Sequence, residues 1–177
     1  MQFVFSLFDG SHPGFILPVD FIGWTGWVLI LAGLIWAIRN WWEPVSMFLD
    51  RWWLLLAFLI AAPVTASFLG IRLPGEMQPM PNTPMEFSPP AVMIFSALPW
   101  LLAGGLLGPL PAAVIGLITG TMIGYYNTRS PFTPLEFATL GLLFSIAVRQ
   151  NYRTWFYRFL RHPLGAVSVV ILLYIPI

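Results

Sequence analysis

A run of 42 residues without a charged side chain, Phe87–Thr128, constrains this 177-residue chain more than any other feature. The sequence Gly-Pro-Leu-Pro at residues 108–111 interrupts the run near its middle, and glycine and proline both disfavour a continuous helix. At about 1.5 Å per residue, the run is too long for one crossing of a roughly 30 Å hydrocarbon layer, whereas its two halves suit two crossings. The run therefore predicts a helical hairpin inside a membrane.

Small residues recur at every fourth position in the second half of this run, at Ala112, Gly116, Gly120 and Gly124. This spacing places the four residues, here called the small-residue row, on one side of a helix. A flat side of this kind lets a neighbouring helix approach closely in lipid. We expect the row to be a helix-packing face, and a ligand groove is the alternative interpretation.

The composition supports a membrane location. Hydrophobic residues make up 58% of the chain and charged residues only 8%, compared with about 25% charged residues in soluble domains. The formal net charge of +1 gives no indication of nucleic-acid binding. Because the chain contains no cysteine, disulfides, thiolate metal sites and cysteine nucleophiles are excluded.

Uncharged stretches and their flanking residues predict an all-α fold, a polytopic helical membrane bundle that forms one domain over residues 1–177. The predicted spans are residues 18–38, 52–71, 89–107, 111–126, 134–148 and 163–177. Residues 73–90 contain six prolines and should form an extended loop. Residues 108–111 either connect two full spans or form the tip of a re-entrant loop, and the length of the run favours two full spans.

The arginines predict the orientation of the bundle. If the six spans alternate in direction, one side of the membrane holds six arginines and the other side holds two, Arg72 and Arg129. The arginine-rich side should be cytoplasmic, which places the N-terminus outside. We therefore expect a multi-pass protein of the inner (cytoplasmic) membrane with the lipid bilayer as its main partner.

The connection between the fifth and sixth spans is predicted to be an amphipathic helix. At about 100° per residue, its aromatic side chains fall on one side and its polar and basic side chains on the other. Such a helix suits the headgroup layer, where arginine meets anionic lipid. A coupling helix that senses movement of the adjacent spans is the alternative. The expected anchor residues are Arg149, Arg153, Trp155, Phe156, Arg158, Phe159 and Arg161.

A group of polar and aromatic residues falls near the outer ends of the predicted spans. One interpretation places them in the lipid headgroups, with Glu136 as a first-turn acid favoured by the helix dipole. The functional interpretation is a small outward-opening pocket that holds an amphipathic ligand. The candidate ligand-binding residues are Asp20, Trp100, Tyr125, Asn127, Arg129 and Glu136.

Catalytic and metal-binding motifs are not evident in the sequence. It has no phosphate-binding loop, nucleophile elbow or paired-carboxylate motif. Two isolated histidines, His12 and His162, do not form a metal site. We therefore predict no catalytic residues, no metal and no cofactor.

The stretch Ser88–Val148 opens a span at Pro89 and Pro90, continues through Gly-Pro and the small-residue row, and enters another span after Pro131 and Pro134. This pattern resembles the MASE-type membrane-associated sensor domains that precede bacterial histidine kinases and diguanylate cyclases. It is also similar to the substrate-binding S components of energy-coupling-factor vitamin transporters. The following segment, RQNYRTWFYRFLRHP, resembles the intracellular connection of multi-span kinase sensor regions.

The resemblance implies a sensory input domain that passes a signal to a cytoplasmic module beyond these residues. Kinase or cyclase activity, and a homodimer, would then belong to that missing module. We expect the sequence to be the N-terminal part of a longer protein, because the last apolar run stops after fifteen residues. The alternatives are a transporter binding subunit, which would offer the small-residue row to a partner subunit, and a structural subunit of a larger membrane complex.

Overall fold

A computed structural model of the chain describes residues 2–6, 13–40, 51–72, 91–149, 159 and 162–174. The described part is mostly helical, as the sequence predicts. Its helices are α1 (Phe21–Asn40), α2 (Trp52–Ser67), α3 (Leu98–Leu106), α4 (Pro109–Ile123), α5 (Thr133–Arg149) and α6 (Pro163–Tyr174). A π-helical turn, Gly124–Thr128, continues α4. Within these residues, Phe21–Asn40 and Pro109–Thr128 are each 20 residues long and apolar enough to cross a membrane, and α2 is a shorter apolar helix.

Three short strands form an antiparallel sheet that the all-α prediction did not include. They are β1 (Gln2–Ser6), β2 (Phe68–Arg72) and β3 (Ala91–Met93), with β2 in the centre. Short apolar runs are compatible with either a strand or a helix, because hydropathy alone does not separate the two. Pairing between segments that are distant in sequence therefore decided the conformation of all three.

The sheet alters two of the predicted spans. The second span, predicted over 52–71, is helical only to Ser67 and then continues as β2. The third span, predicted over 89–107, begins as β3 and becomes helical only at Leu98. Pro89 and Pro90 directly precede β3, and because proline lacks a backbone N–H it does not fit the interior of a helix.

The segment from β3 to the end of α3 runs beside α2 in the opposite direction. At one end, β2 and β3 pair directly, with Ile71 opposite Val92. At the other end, Arg51 Nη1 donates to the carbonyl oxygen of Leu106 at 3.4 Å. Residues 91–107 therefore pass along the full length of α2, through a strand, a turn and a nine-residue helix, and do not return halfway.

The two ends of the bundle differ in character. The sheet and the α4–α5 connection lie at one end, here called the sheet end. Helices α1 and α5 finish at the opposite end with Arg39 and Arg149, where α2 begins after Arg51. We call this the arginine end. Basic residues in the last turn of a helix are favoured by the helix dipole.

Gly108 makes the tight turn between α3 and α4. Its φ of 118° lies in a region that residues other than glycine rarely adopt. Pro109 follows as the first residue of α4, a position where the missing backbone N–H costs nothing. The predicted break at residues 108–111 is therefore a sharp helix–helix corner at the arginine end.

The small-residue row faces α5. A Cβ atom added to Gly116 would lie 2.4 Å from the carbonyl oxygen of Phe137, and one added to Gly120 would lie 2.7 Å from that of Thr133. Conversely, a Cβ atom on Gly141 of α5 would lie 2.7 Å from the carbonyl oxygen of Ala112. The two backbones therefore touch along the row, and larger residues would push them apart.

Helix α1 packs on the other side of α5 and is otherwise exposed. Leu34 is its one buried residue, and Trp27, Ile30, Leu31, Ala37 and Ile38 lie beside it against α5 residues that include Leu135, Ala138 and Leu142. These α1 positions repeat about every 3.5 residues, as in coiled-coil seams. The exposed apolar residues of α1 include Phe21, Ile22, Val28, Leu29, Ile35 and Trp36.

Candidate ligand-binding site

The sheet end of the bundle is closed by the turn that joins α4 to α5. Residues Gly124–Thr128 form a π-helical turn, a local widening that occurs often at functional positions. Arg129 then takes a left-handed conformation with φ of 56°, which reverses the chain. The hydroxyl groups of Thr128 and Thr133 lie 2.8 Å apart across this reversal, so the turn is fixed by its own polar side chains.

The segment before α1, residues 13–19, lies along this turn; we call it the strap. Gly14 donates its backbone N–H to the carbonyl oxygen of Tyr125 at 3.0 Å, and Ile16 donates to that of Arg129 at 2.7 Å. Between these bonds, the ring of Phe15 meets the ring of Tyr125 edge-on, with centroids 5.4 Å apart. The strap therefore covers the outside of the turn with both backbone bonds and an aromatic contact.

Asn127 joins the π-helical turn to the sheet. Its Oδ1 accepts a hydrogen bond from the backbone N–H of Ala91 at 2.8 Å, and its Nδ2 donates to the carbonyl oxygen of the same residue. The side-chain amide therefore supplies the acceptor and the donor that a neighbouring strand would otherwise offer to the backbone of Ala91. Because both polar atoms are engaged, Asn127 has a structural role that the sequence did not indicate.

The two carboxylates of the predicted pocket lie at the starts of helices. Asp20 is exposed and immediately precedes α1, where its backbone carbonyl oxygen accepts the N–H of Trp24 at 3.3 Å. Glu136 is half-buried in the first turn of α5, where a negative charge is favoured by the helix dipole. Tyr125, Asn127 and Arg129 come together at the turn, with the tyrosine ring against the strap.

Trp100 lies inside the bundle. Only 7% of its surface is exposed, and its ring meets those of Phe137 and Phe144 of α5 edge-on, with both centroid distances 6.4 Å. We call these three residues the aromatic cluster. The indole Nε1 of Trp100 is buried and has no hydrogen-bond partner within the described part of the chain.

Thr119 of α4 is a second buried polar group without a hydrogen-bond partner among the described residues. Its exposed fraction is 0%. Threonine hydroxyls in helices usually donate to the carbonyl four residues earlier, as Thr25, Thr65 and Thr121 do in this chain at 2.7 to 2.9 Å. The hydroxyl of Thr119 does not make this bond, so it is left available to another acceptor or donor.

The other buried hydroxyl groups of the described residues are all engaged. Ser96 donates to the carbonyl oxygen of Met93 at 2.8 Å, Thr133 pairs with Thr128, and Ser145 of α5 donates to the carbonyl oxygen of Gly104 at 2.7 Å. Burying a polar group without a partner costs about 1–3 kcal/mol in proteins. Among the buried hydroxyl and indole groups of the described residues, Thr119 and Trp100 are therefore the exceptions.

Trp100 belongs to an apolar core that includes Ala62, Ala103 and Ile115, and none of the buried residues in the described part of the chain is charged. The described residues also contain no cluster of three or more histidine, aspartate or glutamate side chains able to hold a metal ion. An uncompensated charge in this interior would carry a large desolvation penalty.

The predicted interfacial anchor is only partly within the described residues. Arg149 ends α5 and is half-buried, and Phe159 is exposed. Arg153, Trp155, Phe156, Arg158 and Arg161 lie outside the described residues.

Comparison with known proteins identifies no relative of this chain. The sequence matches no protein-family model, and no curated protein or solved structure is similar enough to count as a match. The resemblance to MASE-type domains and S components is therefore carried by the residues alone.

Proposed function

We propose that this chain is the membrane-embedded sensory input domain of a bacterial signal-transduction protein, most simply a sensor histidine kinase. It would receive a ligand in the sheet-end half of the bundle and pass the signal to a cytoplasmic module. The observation that carries this proposal is the position of α5. This helix supplies Phe137 and Phe144 to the aromatic cluster and leads to the arginine end at Arg149.

Helix α5 also contacts four of the other described helices. It packs against α1, α3, α4 and α6. A change around the aromatic cluster would shift α5 relative to these neighbours, because close-packed interiors respond by moving whole elements. The residues that follow Arg149 are the predicted amphipathic connection, so α5 joins the candidate site to the segment that would face the output module.

A membrane location is supported by two features of the described residues. Two helices are long and apolar enough to cross the bilayer. Arg39, Arg51 and Arg149 lie at one end of the bundle, and Arg72 and Arg129 belong to the other. The positive-inside rule then assigns the arginine end to the cytoplasm and the sheet end to the outside of the inner membrane. Multi-pass topology with an external N-terminus follows from this assignment.

The small-residue row does not favour the transporter alternative. A substrate-binding subunit would present the small-residue row to a partner membrane subunit, but Gly116 and Gly120 lie against the backbone of α5 in the same chain. The structural-subunit alternative retains one supporting observation. The outward side of α1, with Ile22 and Leu29 among its exposed residues, is an apolar face that a larger complex could cover.

The first experiment is to read the gene beyond the codon for Ile177. A histidine kinase or cyclase module in the same reading frame would support the sensory role. A stop codon at that point would reject it and favour the transporter or structural alternative.

A second experiment tests coupling in a defined protein. Residues 1–177 are joined to the cytoplasmic part of a histidine kinase, and autophosphorylation is measured in reconstituted membranes. Phe137→Ala should change the basal rate, since it removes a ring of the aromatic cluster from α5. Leu143→Ala is the matched control, because Leu143 is exposed on the same helix. Equal rates for both variants and the parent would contradict signal transfer through α5.

A further inference from the structure

The strap and the first turn of α1 expose a group of apolar side chains. Val19 is 95% exposed, and Phe21 and Ile22 are exposed to nearly the same extent. Ile16 and Leu17 of the strap are each more than half exposed. We call these five residues the apolar patch. Contiguous exposed apolar surfaces mark sites of contact with a membrane or with another protein, so the patch requires an occupant.

The apolar patch lies at the level where the hydrocarbon layer of a membrane would end. From Phe21 to Asn40, α1 contains 20 residues and rises about 30 Å, which equals the thickness of the hydrocarbon layer. The stretch Pro109–Thr128 is also 20 residues long and brings the π-helical turn to a similar distance from the arginine end. With the arginine end at the cytoplasmic boundary, the strap and the turn both lie at the outer boundary.

The apolar patch continues along the side of α1 that faces away from the bundle. Exposed apolar residues recur there every seven positions, which is about two helical turns, so they lie on one side of the helix. The two series are Phe21, Val28 and Ile35, and Ile22, Leu29 and Trp36. A helix that is long and apolar enough to cross a membrane presents such a side to lipid, and the patch extends the same surface to the outer boundary.

The position of the single charge in this region also favours lipid. Asp20 is the only ionisable side chain between residues 13 and 38, and it is exposed immediately before α1. At the outer boundary, its carboxylate can stay among the headgroups while the neighbouring apolar side chains enter the hydrocarbon. A charge at the centre of the layer would be costly, so Asp20 agrees with a shallow position of the strap.

The other side of the strap is attached to the π-helical turn. Two backbone N–H groups of the strap donate to carbonyl oxygens of the turn and of the residue after it. The ring of Phe15 lies against the turn between these bonds: a Cβ atom added to Gly124 would lie 3.1 Å from Cε1 of Phe15, and Tyr125 meets the same ring edge-on. A displacement of the strap therefore acts on the turn, which leads into α5.

We propose that the apolar patch is a membrane-contact site for the acyl chains of outer-leaflet phospholipids, and that the strap transmits the packing of these chains to the π-helical turn. The proposal rests on the proposed sensory function and names its stimulus as the state of the outer leaflet. In a thinner leaflet, the patch would meet headgroups and water. The strap then moves toward the hydrocarbon, because burial of apolar surface is favourable and a mismatch with the bilayer is relieved by movement of the segment concerned.

The contact with lipid is tested by a single spin label, since the chain contains no cysteine. Val19→Cys is labelled and reconstituted in phosphatidylcholine nanodiscs. Electron paramagnetic resonance then compares the accessibility of the label to oxygen, which concentrates in hydrocarbon, and to a water-soluble nickel complex. The label should be more accessible to oxygen, as should the matched control Leu29→Cys in the middle of α1.

Two other results for Val19→Cys would overturn the proposal. Greater accessibility to the nickel complex would place the patch in water. Low accessibility to both reagents would show that protein covers the patch, as a second copy of the chain would.

Transmission through the strap is tested with the kinase chimera in phosphatidylcholine membranes of short, medium and long acyl chains. The autophosphorylation rate should differ at least about 5-fold between the thinnest and the thickest membrane, the lower end of the coupling usual between linked sites. Phe15→Ala should reduce this difference, because it removes the ring that rests on Gly124 and Tyr125. Leu29→Ala is the matched control on the same exposed surface and should retain the difference. Full dependence on chain length in Phe15→Ala would overturn transmission through the strap.

The readouts keep the failure of this proposal distinct from the failure of the sensory role. A rate that ignores chain length but changes with Phe137→Ala rejects the strap as the sensing element and supports the sensory role. A rate that responds to neither rejects the sensory role, and the spin label then decides the lipid contact by itself.

Discussion

Replacing Gly116 by alanine tests the closest approach in the structure. The new Cβ atom would lie 2.4 Å from the carbonyl oxygen of Phe137 and 2.9 Å from its carbonyl carbon. Ordinary contacts begin near 3.4 Å, so α4 and α5 must separate locally by about 1 Å. The obstacle is backbone within a helix, which cannot move aside as a flexible side chain can. A gap of this size forfeits about a quarter to a half of the dispersion energy at the contacts that it opens.

The expected cost follows from two opposing terms. Overpacking of a tight interior costs about 1–3 kcal/mol, and the rigid obstacle places Gly116→Ala near the upper end. Alanine in place of a helical glycine returns about 1 kcal/mol through helix propensity. The net destabilisation should be about 2 kcal/mol. At about 2–4 °C per kcal/mol for a chain of this size, the Tm should fall by about 4–8 °C.

Gly105→Ala is the matched control for this prediction. Gly105 is also helical, in α3, and a Cβ atom there would meet nothing within 4 Å. This variant should therefore gain about 1 kcal/mol from helix propensity alone. Both variants are melted in the same detergent and followed by circular dichroism. If Gly116→Ala melts at or above Gly105→Ala, the backbones of α4 and α5 do not touch and the reasoning is refuted.

Three further predictions concern single contacts. Asn127→Ala removes both hydrogen bonds to the backbone of Ala91 and should cost about 1–3 kcal/mol; amide hydrogen exchange at Ala91 should accelerate, and unchanged exchange would contradict this pairing. Leu69→Gly should raise the Tm, because Leu69 has a φ of 58° and this conformation costs about 1–2 kcal/mol for a residue with a Cβ atom; a lower Tm would show that lost side-chain packing outweighs the strain. Ser145→Ala leaves the carbonyl oxygen of Gly104, near the end of α3, without its 2.7 Å hydrogen bond and should destabilise by about 1–3 kcal/mol, which denaturant unfolding measures.

Local patterns in the sequence predict several features of the fold. The helix breaks at Gly108 because glycine reaches the required φ and proline suits the first helical position. The spacing from Ala112 to Gly124 predicts a flat face because four residues make about one helical turn. These features depend only on neighbours within a few residues, so they can be read without knowledge of the tertiary structure.

The candidate site depended on contacts between distant segments and was less predictable. A polar asparagine at the end of a predicted span is compatible with a ligand pocket. In the structure, however, the side-chain amide of Asn127 pairs with Ala91, 36 residues away. Thr119 gave no signal in the sequence, because a threonine in an apolar helix usually bonds to its own backbone. Only the position of the hydroxyl in the folded chain shows that this bond is not made.

The sequence by itself determined that the chain is mainly helical and largely apolar, where its helices break, and which side of α4 is flat. Hydropathy, proline and glycine fix these properties through local sterics and transfer free energy. The tertiary structure decided that α5 covers the small-residue row and that Phe68–Arg72 and Ala91–Met93 pair as strands. It also left Trp100 and Thr119 without partners in a buried interior. These outcomes depend on which segments meet, because a hydrogen bond or a close contact is a property of two surfaces and not of one.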